Sequence, residues 1–188
     1  MEELVKTSID AKQRLLADKA LLKTVEAVVD ATVAAYRNGN KVLAAGNGGS
    51  AADAQHFVAE FVGRFYYDRP ALPGIALHTD TSVLTAIGND YGYESVFSRQ
   101  IEANAVKGDV FFGFSTSGNS ANILKAIEAA KAKGVICVGF VGAKPSKMDA
   151  VCDFILKMPS EDTPRIQECH ALLEHIICQC VESALFPK

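Results

Sequence analysis

Short apolar runs alternate along this chain with longer stretches in which apolar residues recur every three or four positions. The clearest run is Val110 to Phe114, which reads as a strand buried on both faces. Ala121 to Lys133 follows, with apolar residues at Ile123, Leu124, Ile127 and Ala130, the spacing of an amphipathic helix. Between them lie only small or polar residues, Ser115, Thr116, Ser117, Gly118, Asn119 and Ser120. The same plan occurs earlier, where the strand Lys41 to Ala45 passes through the turn Gly46-Asn47-Gly48-Gly49-Ser50 into a helix reaching about Arg64.

The remaining elements continue this alternation. Residues 1–38 read as helical, with a broad stripe that includes Leu15, Leu21, Val25, Val28, Val29, Val33 and Tyr36, broken at Asp18 and Lys19. That stripe is suited to cover a sheet face or a neighbouring subunit. A second strand runs from Gly74 to Leu77, then a short helix, the segment Gly88-Asn89-Asp90-Tyr91-Gly92 as a loop, and a helix from about Ser95 to Val106. Val135 to Val141 and Phe154 to Met158 are the last two strands, with a short helix around Met148 between them. Thr163-Pro164 opens the final helix, Pro occupying a first-turn position where its missing N–H costs nothing. The pattern predicts an α/β three-layer sandwich, a five-stranded parallel sheet flanked by helices, with no linker dividing residues 1–188 into separate domains.

Composition narrows the function classes. A net charge of −3 with scattered basic residues gives no nucleic-acid footprint. No run approaches the length of a membrane span and the N-terminus lacks a signal pattern, so a cytoplasmic location is expected. Cys137, Cys152, Cys169, Cys178 and Cys180 form no CxxC pair, and reduced thiols are expected. A thiolate metal site at Cys178 and His175 lacks a second spaced pair.

Both small-residue turns lead from a strand into a helix, where first-turn N–H groups and the helix dipole favour an anion. The second turn adds the hydroxyls of Ser115, Thr116, Ser117 and Ser120, although Ser120 alone would serve as an ordinary N-cap. Gly46, Gly48 and Ala51 match a loose dinucleotide fingerprint, but the next strand is followed by Asp80, too far along for the ribose-binding acid, so a nicotinamide cofactor is disfavoured.

His56 and Glu60 are four apart and share one face of the first turn's helix, as either a surface pair or part of a site. Glu60 lies in FVAEFV, where a carboxylate is costly without a partner. The final helix carries Gln167, His170, Glu174 and His175; Gln167 and His175 share a stripe about 12 Å apart in rise. Together His56, Glu60, Gln167 and His175 offer two imidazoles and two oxygen donors, a set that suits zinc.

The segments AGNGGSAADAQHFVAEFVGRF, AIGNDYGYESVFSRQ, STSGNSANILKAI and RIQECHALLEH, in this order, resemble the bacterial phosphoheptose isomerases of the sugar-isomerase (SIS) family over nearly the whole chain. The resemblance implies a single SIS domain over 1–188 and conversion of sedoheptulose 7-phosphate to D-glycero-D-manno-heptose 7-phosphate, the entry to lipopolysaccharide heptose. It also implies a homotetramer with active sites between subunits, and a small-molecule phosphosugar substrate, with no nucleic-acid or membrane partner. Phosphate binding carries over to Ser115, Thr116, Ser117 and Ser120, and further substrate contacts to Asn47, Gly48, Gly49, Asn89, Asp90, His56, Glu60 and Gln167. One zinc ion per subunit is implied at His56, Glu60, Gln167 and His175, with Glu60 and His175 also the catalytic base and acid. The loop Gly142 to Met148 departs from the glycine-rich turn of many relatives through Pro145, and its Lys144 and Lys147 read as solvated. Two alternatives remain: a non-catalytic family member that binds the replication initiator, against which the pair Glu60 and His175 argues, and an isomerase of another phosphosugar.

Overall fold

A computed structural model describes residues 1–188. Five parallel strands form one sheet in the order β2-β1-β3-β4-β5: β1 (Val42–Ala45), β2 (Gly74–Ala76), β3 (Val110–Phe114), β4 (Ile136–Val141) and β5 (Phe154–Lys157). The chain leaves β1 for β2 on one side, then returns to β3 on the other, with Val42 beside Val110 and Ala45 beside Gly113. The order therefore reverses between β1 and β3, the position where open α/β sheets bind ligands beyond their strand ends. Both small-residue turns lie there.

Every residue of β1 and β3 is buried, as expected of central strands covered on both faces. Alternate side chains divide between two cores. Val42, Ala44, Phe112 and Phe114 join the larger one, beneath α2 (Lys19–Arg37), α3 (Gly49–Val62) and α7 (Thr163–Leu185). Leu43, Ala45 and Phe111 join the smaller one, beneath α5 (Ser98–Asn104) and α6 (Ala121–Ala132). The expected break in the N-terminal helical segment is real: α1 (Glu2–Ala17) ends at Asp18, whose carboxylate caps α2 by accepting from Leu21 N at 2.9 Å. Helix α1 buries only Ala11 and Leu15 and leaves Leu4, Val5 and Ile9 exposed.

The sequence reading differs from the structure between β2 and β3. Asn89 and Asp90 are not in a loop but in the last turn of α4 (Thr81–Tyr91), because Gly88 continues the helix and only Gly92, at φ +83°, ends it. The single helix expected over 95–106 is a 3₁₀ turn at Tyr93–Ser95 followed by the shorter α5. Asp109 draws the chain out of the helix by accepting from Val106 N at 2.9 Å. None of the residues of α4 is buried.

Candidate active site

Strand β3 delivers the hydroxyl loop. Its first residue, Ser115, is buried, and its hydroxyl lies 2.9 Å from that of Ser120 and 3.4 Å from that of Ser117. Ser120 occupies the N-cap position of α6 yet its side chain makes no cap bond, having turned toward Ser115. The ordinary N-cap role is therefore not the one it plays, and the first turn of α6 keeps its N–H groups free of side-chain partners. Gly118, at φ +62°, makes the turn, and a Cβ there would run into the Ser146 side chain. Thr116 and Ser117 also line a cleft of about 250 Å³ with Lys144, Ser160 and Thr163. Lys144 pairs at 3.4 Å with exposed Glu161, a solvent-facing contact worth little.

The glycine turn after β1 meets this loop through Asn47. Its side-chain amide donates to Asn122 Oδ1 at 3.0 Å and its oxygen accepts from Asn122 Nδ2 at 2.8 Å, while the Tyr93 hydroxyl donates to the same oxygen at 3.2 Å. Gly49, the first residue of α3, faces the side chain of Gln167, which a Cβ at that position would strike. Helices α3 and α7 thus run side by side, with Gly49 against Gln167 at one end and His56 against His175 further along.

At that second place His56 Nε2 lies 2.9 Å from Glu60 Oε1 and 3.5 Å from His175 Nε2, and the two imidazoles meet edge to face with centroids 5.0 Å apart. One donor atom from each of His56, Glu60 and His175 falls within 4.8 Å of the others. The Phe65 ring packs 5.8 Å from His175. Glu60 is not the buried carboxylate its apolar neighbours suggested: its side chain is 23% exposed, because Phe57 and Phe61 take the core-facing positions of α3 and Glu60 turns toward α7.

The deeply buried carboxyl is Glu174, adjacent to His175, with neither oxygen hydrogen-bonded. Burial, reinforced by the nearby Asp53, pushes its pKa up to about 9, so it is neutral at pH 7. Asp53, one turn before His56, is raised by burial to about 6, against the opposing influence of His56. The structure also buries His170 between the rings of Phe114 and Phe140, and burial lowers its pKa to about 4.

Of the residues singled out by sequence, the structure brings together His56, Glu60 and His175, joins Ser115, Ser117 and Ser120, and sets Gln167 against the glycine turn. No hydrogen bond links Gln167 to the imidazole cluster. Asn89 and Asp90 stand apart: they bond to each other at 2.8 Å, and Asp90 lines a separate cleft with Val83, Ile87 and Arg99. Asn122, Tyr93 and Asp53 were not anticipated. Asp53 alone left a signal, standing three positions before His56 on the same helix face. The five cysteines are all unpaired, and Cys178 does not join the cluster of His56, Glu60 and His175. Burial pushes the Cys137 thiol up to about 12.

Comparison with known proteins gives this arrangement a family. The SIS domain model matches residues 9–142. The phosphoheptose isomerase of Aneurinibacillus thermoaerophilus is 59% identical over 97% of this chain and 92% of its own length. Phosphoheptose isomerase 2 of Campylobacter jejuni is 58% identical over 96% and 90%. The solved phosphoheptose isomerase of Neisseria gonorrhoeae superposes with a TM-score of 0.90 at 44% identity, covering 97% of this chain and 96% of that one. The solved enzyme from Francisella tularensis gives 0.91 at 34% identity, with the same coverage. The chain belongs to the SIS domain family and, within it, to the phosphoheptose isomerases.

Proposed function

We propose that the chain interconverts sedoheptulose 7-phosphate and D-glycero-D-manno-heptose 7-phosphate through an enediol, the opening step in making the heptose of lipopolysaccharide. The observation that carries this reading is the convergence of Glu60 and His175, from different helices, on His56. Moving a proton between neighbouring carbons needs a base at carbon and a proton donor at oxygen. Glu60 removes the proton from the hydroxyl-bearing carbon next to the carbonyl and returns it to the adjacent carbon. His175 donates a proton to the carbonyl oxygen as the enediol forms and receives one back from the other hydroxyl. Ser115, Thr116, Ser117 and Ser120, with the N-terminus of α6, hold the phosphate and so convert its binding energy into placement of the reacting carbons. Asn47, Gly48, Gly49 and Gln167 line the sugar between these two places.

Two imidazole nitrogens and a carboxylate oxygen within 4.8 Å form a donor set that fits zinc, and the neighbouring carboxyl groups of Asp53 and Glu174 lack hydrogen-bond partners. In this reading His56, Glu60, Gln167 and His175 would hold one zinc ion per subunit in the resting site, and Glu60 and His175 would have to loosen from it to serve as base and acid. Bound zinc would polarise the substrate carbonyl and lower the barrier to enolisation.

The assembly proposed is a homotetramer with sites between subunits. It is supported by α4, which carries Asn89 and Asp90 and buries nothing within one chain, and by the exposed Leu4, Val5 and Ile9 of α1. Residues 1–188 act as one SIS domain, and α1 and α2 supply its N-terminal cover. The five unpaired cysteines suit the reducing cytoplasm. Incubating the purified protein with a panel of ketose phosphates tests the reading: sedoheptulose 7-phosphate should give an aldose phosphate fastest. A folded protein that turns over none of them would overturn it.

A further inference from the structure

Away from the residues assigned to chemistry, the chain buries one complete ion pair. Arg69, in the loop after α3, and Glu182, near the end of α7, meet at 3.1 Å with each side chain 2% exposed. Desolvating such a pair offsets most of its Coulomb attraction, so the pair is weak as a source of stability and calls for a geometric reason. Its hydrogen bonds give one. The guanidinium donates to the backbone carbonyls of Glu60 at 2.7 Å, Phe61 at 2.6 Å, Gly63 at 3.2 Å and Pro70 at 3.0 Å. The first two belong to the last turn of α3, where carbonyls have no partners within the helix and the dipole favours a cation.

The carboxylate of Glu182 completes the link. It accepts from Phe65 N at 2.9 Å and Tyr66 N at 2.8 Å, as well as from Arg69. Those bonds seat the loop whose Phe65 ring packs 5.8 Å from the His175 ring. Glu182 itself stands two turns beyond His175 on the same side of α7. One ion pair therefore grips the backbone of Glu60, the ring against His175 and the helix that bears His175.

We propose that Arg69 and Glu182 are positioning residues for the isomerisation, a buried clamp that fixes the separation of Glu60 and His175. The kinetic consequence rests on the isomerase reading above; the geometric one does not. Two conservative variants test it, Arg69→Lys, which keeps the charge but loses the fork, and Glu182→Gln, which keeps the shape but loses the charge. Folding is followed by circular dichroism, and turnover of sedoheptulose 7-phosphate is expressed per folded molecule. Displacement of a catalytic group by about 1 Å costs on the order of 10²-fold, so kcat should fall by that order while KM changes by less than about threefold.

Ring nitrogen NMR signals of His56 and His175 in the metal-free protein give a second readout that needs no substrate. They should shift in both variants while the signal of His78 stays in place. Tyr67→Phe is the control, since its hydroxyl donates only to backbone carbonyls of α7 and the chain just after it, Glu182 at 3.5 Å and Phe186 at 2.7 Å, and reaches neither the Glu182 carboxylate nor α3. It should lower the melting temperature and leave kcat and both imidazole signals unchanged. Should Arg69→Lys fail to fold, Glu182→Gln carries the test. A wild-type protein without turnover would sink the isomerase reading, and the imidazole signals would still decide the clamp. Folded variants with wild-type kcat and unshifted signals, or a Tyr67→Phe variant as impaired as the other two, would overturn the proposal.

Discussion

Asn47 and Asn122 exchange two side-chain amide hydrogen bonds, 3.0 Å in one direction and 2.8 Å in the other. The pair joins the glycine turn after β1 to the helix behind the hydroxyl loop, across the point where the strand order reverses. Neither amide is free to rotate without losing both bonds, so the two turns keep a fixed spacing. Asn122→Ala leaves the Asn47 amide half satisfied at a partly buried position that water can reach, which should cost about 1 kcal/mol in urea unfolding. It should also raise KM for the phosphosugar more than it lowers kcat. A variant with wild-type stability and KM would show that the two turns are held by something else.

Gly49 faces Gln167 so closely that any Cβ must displace the amide. Gly49→Ala should therefore leave the fold intact, because the obstructing group is the end of a flexible side chain, while weakening substrate binding. Calorimetric titration with the phosphosugar should show reduced affinity, and titration with inorganic phosphate, which needs only the hydroxyl loop, should not. Equal loss for both ligands would mean the change spreads beyond Gln167.

Zinc binding should depend on the convergent side chains. His56→Ala and His175→Ala, after dialysis against trace zinc, should each retain far less metal than wild type by elemental analysis. Cys178→Ser should retain the wild-type amount, since its thiol stands outside the cluster and burial holds it protonated. Unchanged metal in the histidine variants would remove this donor set from consideration.

His170 makes stability pH-dependent in a predictable direction. Its pKa is about 4 in the folded chain because burial between Phe114 and Phe140 disfavours the imidazolium, against roughly 6.5 for an unfolded histidine. Below pH 6.5 the unfolded chain binds the extra proton, so its contribution is intact above that pH and is lost as pH falls toward 4. Between pH 7.5 and 5 the loss amounts to about 2 kcal/mol. Urea unfolding of wild type and His170→Leu at both pH values measures it as the difference in their pH dependence. Parallel behaviour of the two proteins would contradict the assignment.

Much of this was legible from sequence, for identifiable reasons. The runs at Leu43 and Phe111 have no alternation to confuse them, and the small-residue turns after them could only be strand-to-helix junctions. Asp18 and Lys19 marked the break between the first two helices, although the cap that Asp18 supplies was not read. Glu60 was misjudged because its neighbours in the chain are apolar, whereas the helical period turns those neighbours to the core and Glu60 to the flank. Asn89 and Asp90 were read as a loop because glycines bracket them, yet a glycine inside a helix is tolerated. Arg69 and Glu182 were invisible for a different reason. They lie 113 positions apart, and nothing local marks either of them for the other.

The claim that Glu60 is the base at carbon is tested most directly by turnover of sedoheptulose 7-phosphate in wild type and Glu60→Gln, side by side. Wild type should produce the aldose phosphate, and the variant should lose on the order of 10²–10⁴-fold in kcat, the usual contribution of a positioned base, while calorimetry still finds inorganic phosphate bound at the hydroxyl loop. Glu60→Gln turning over at the wild-type rate would contradict the account.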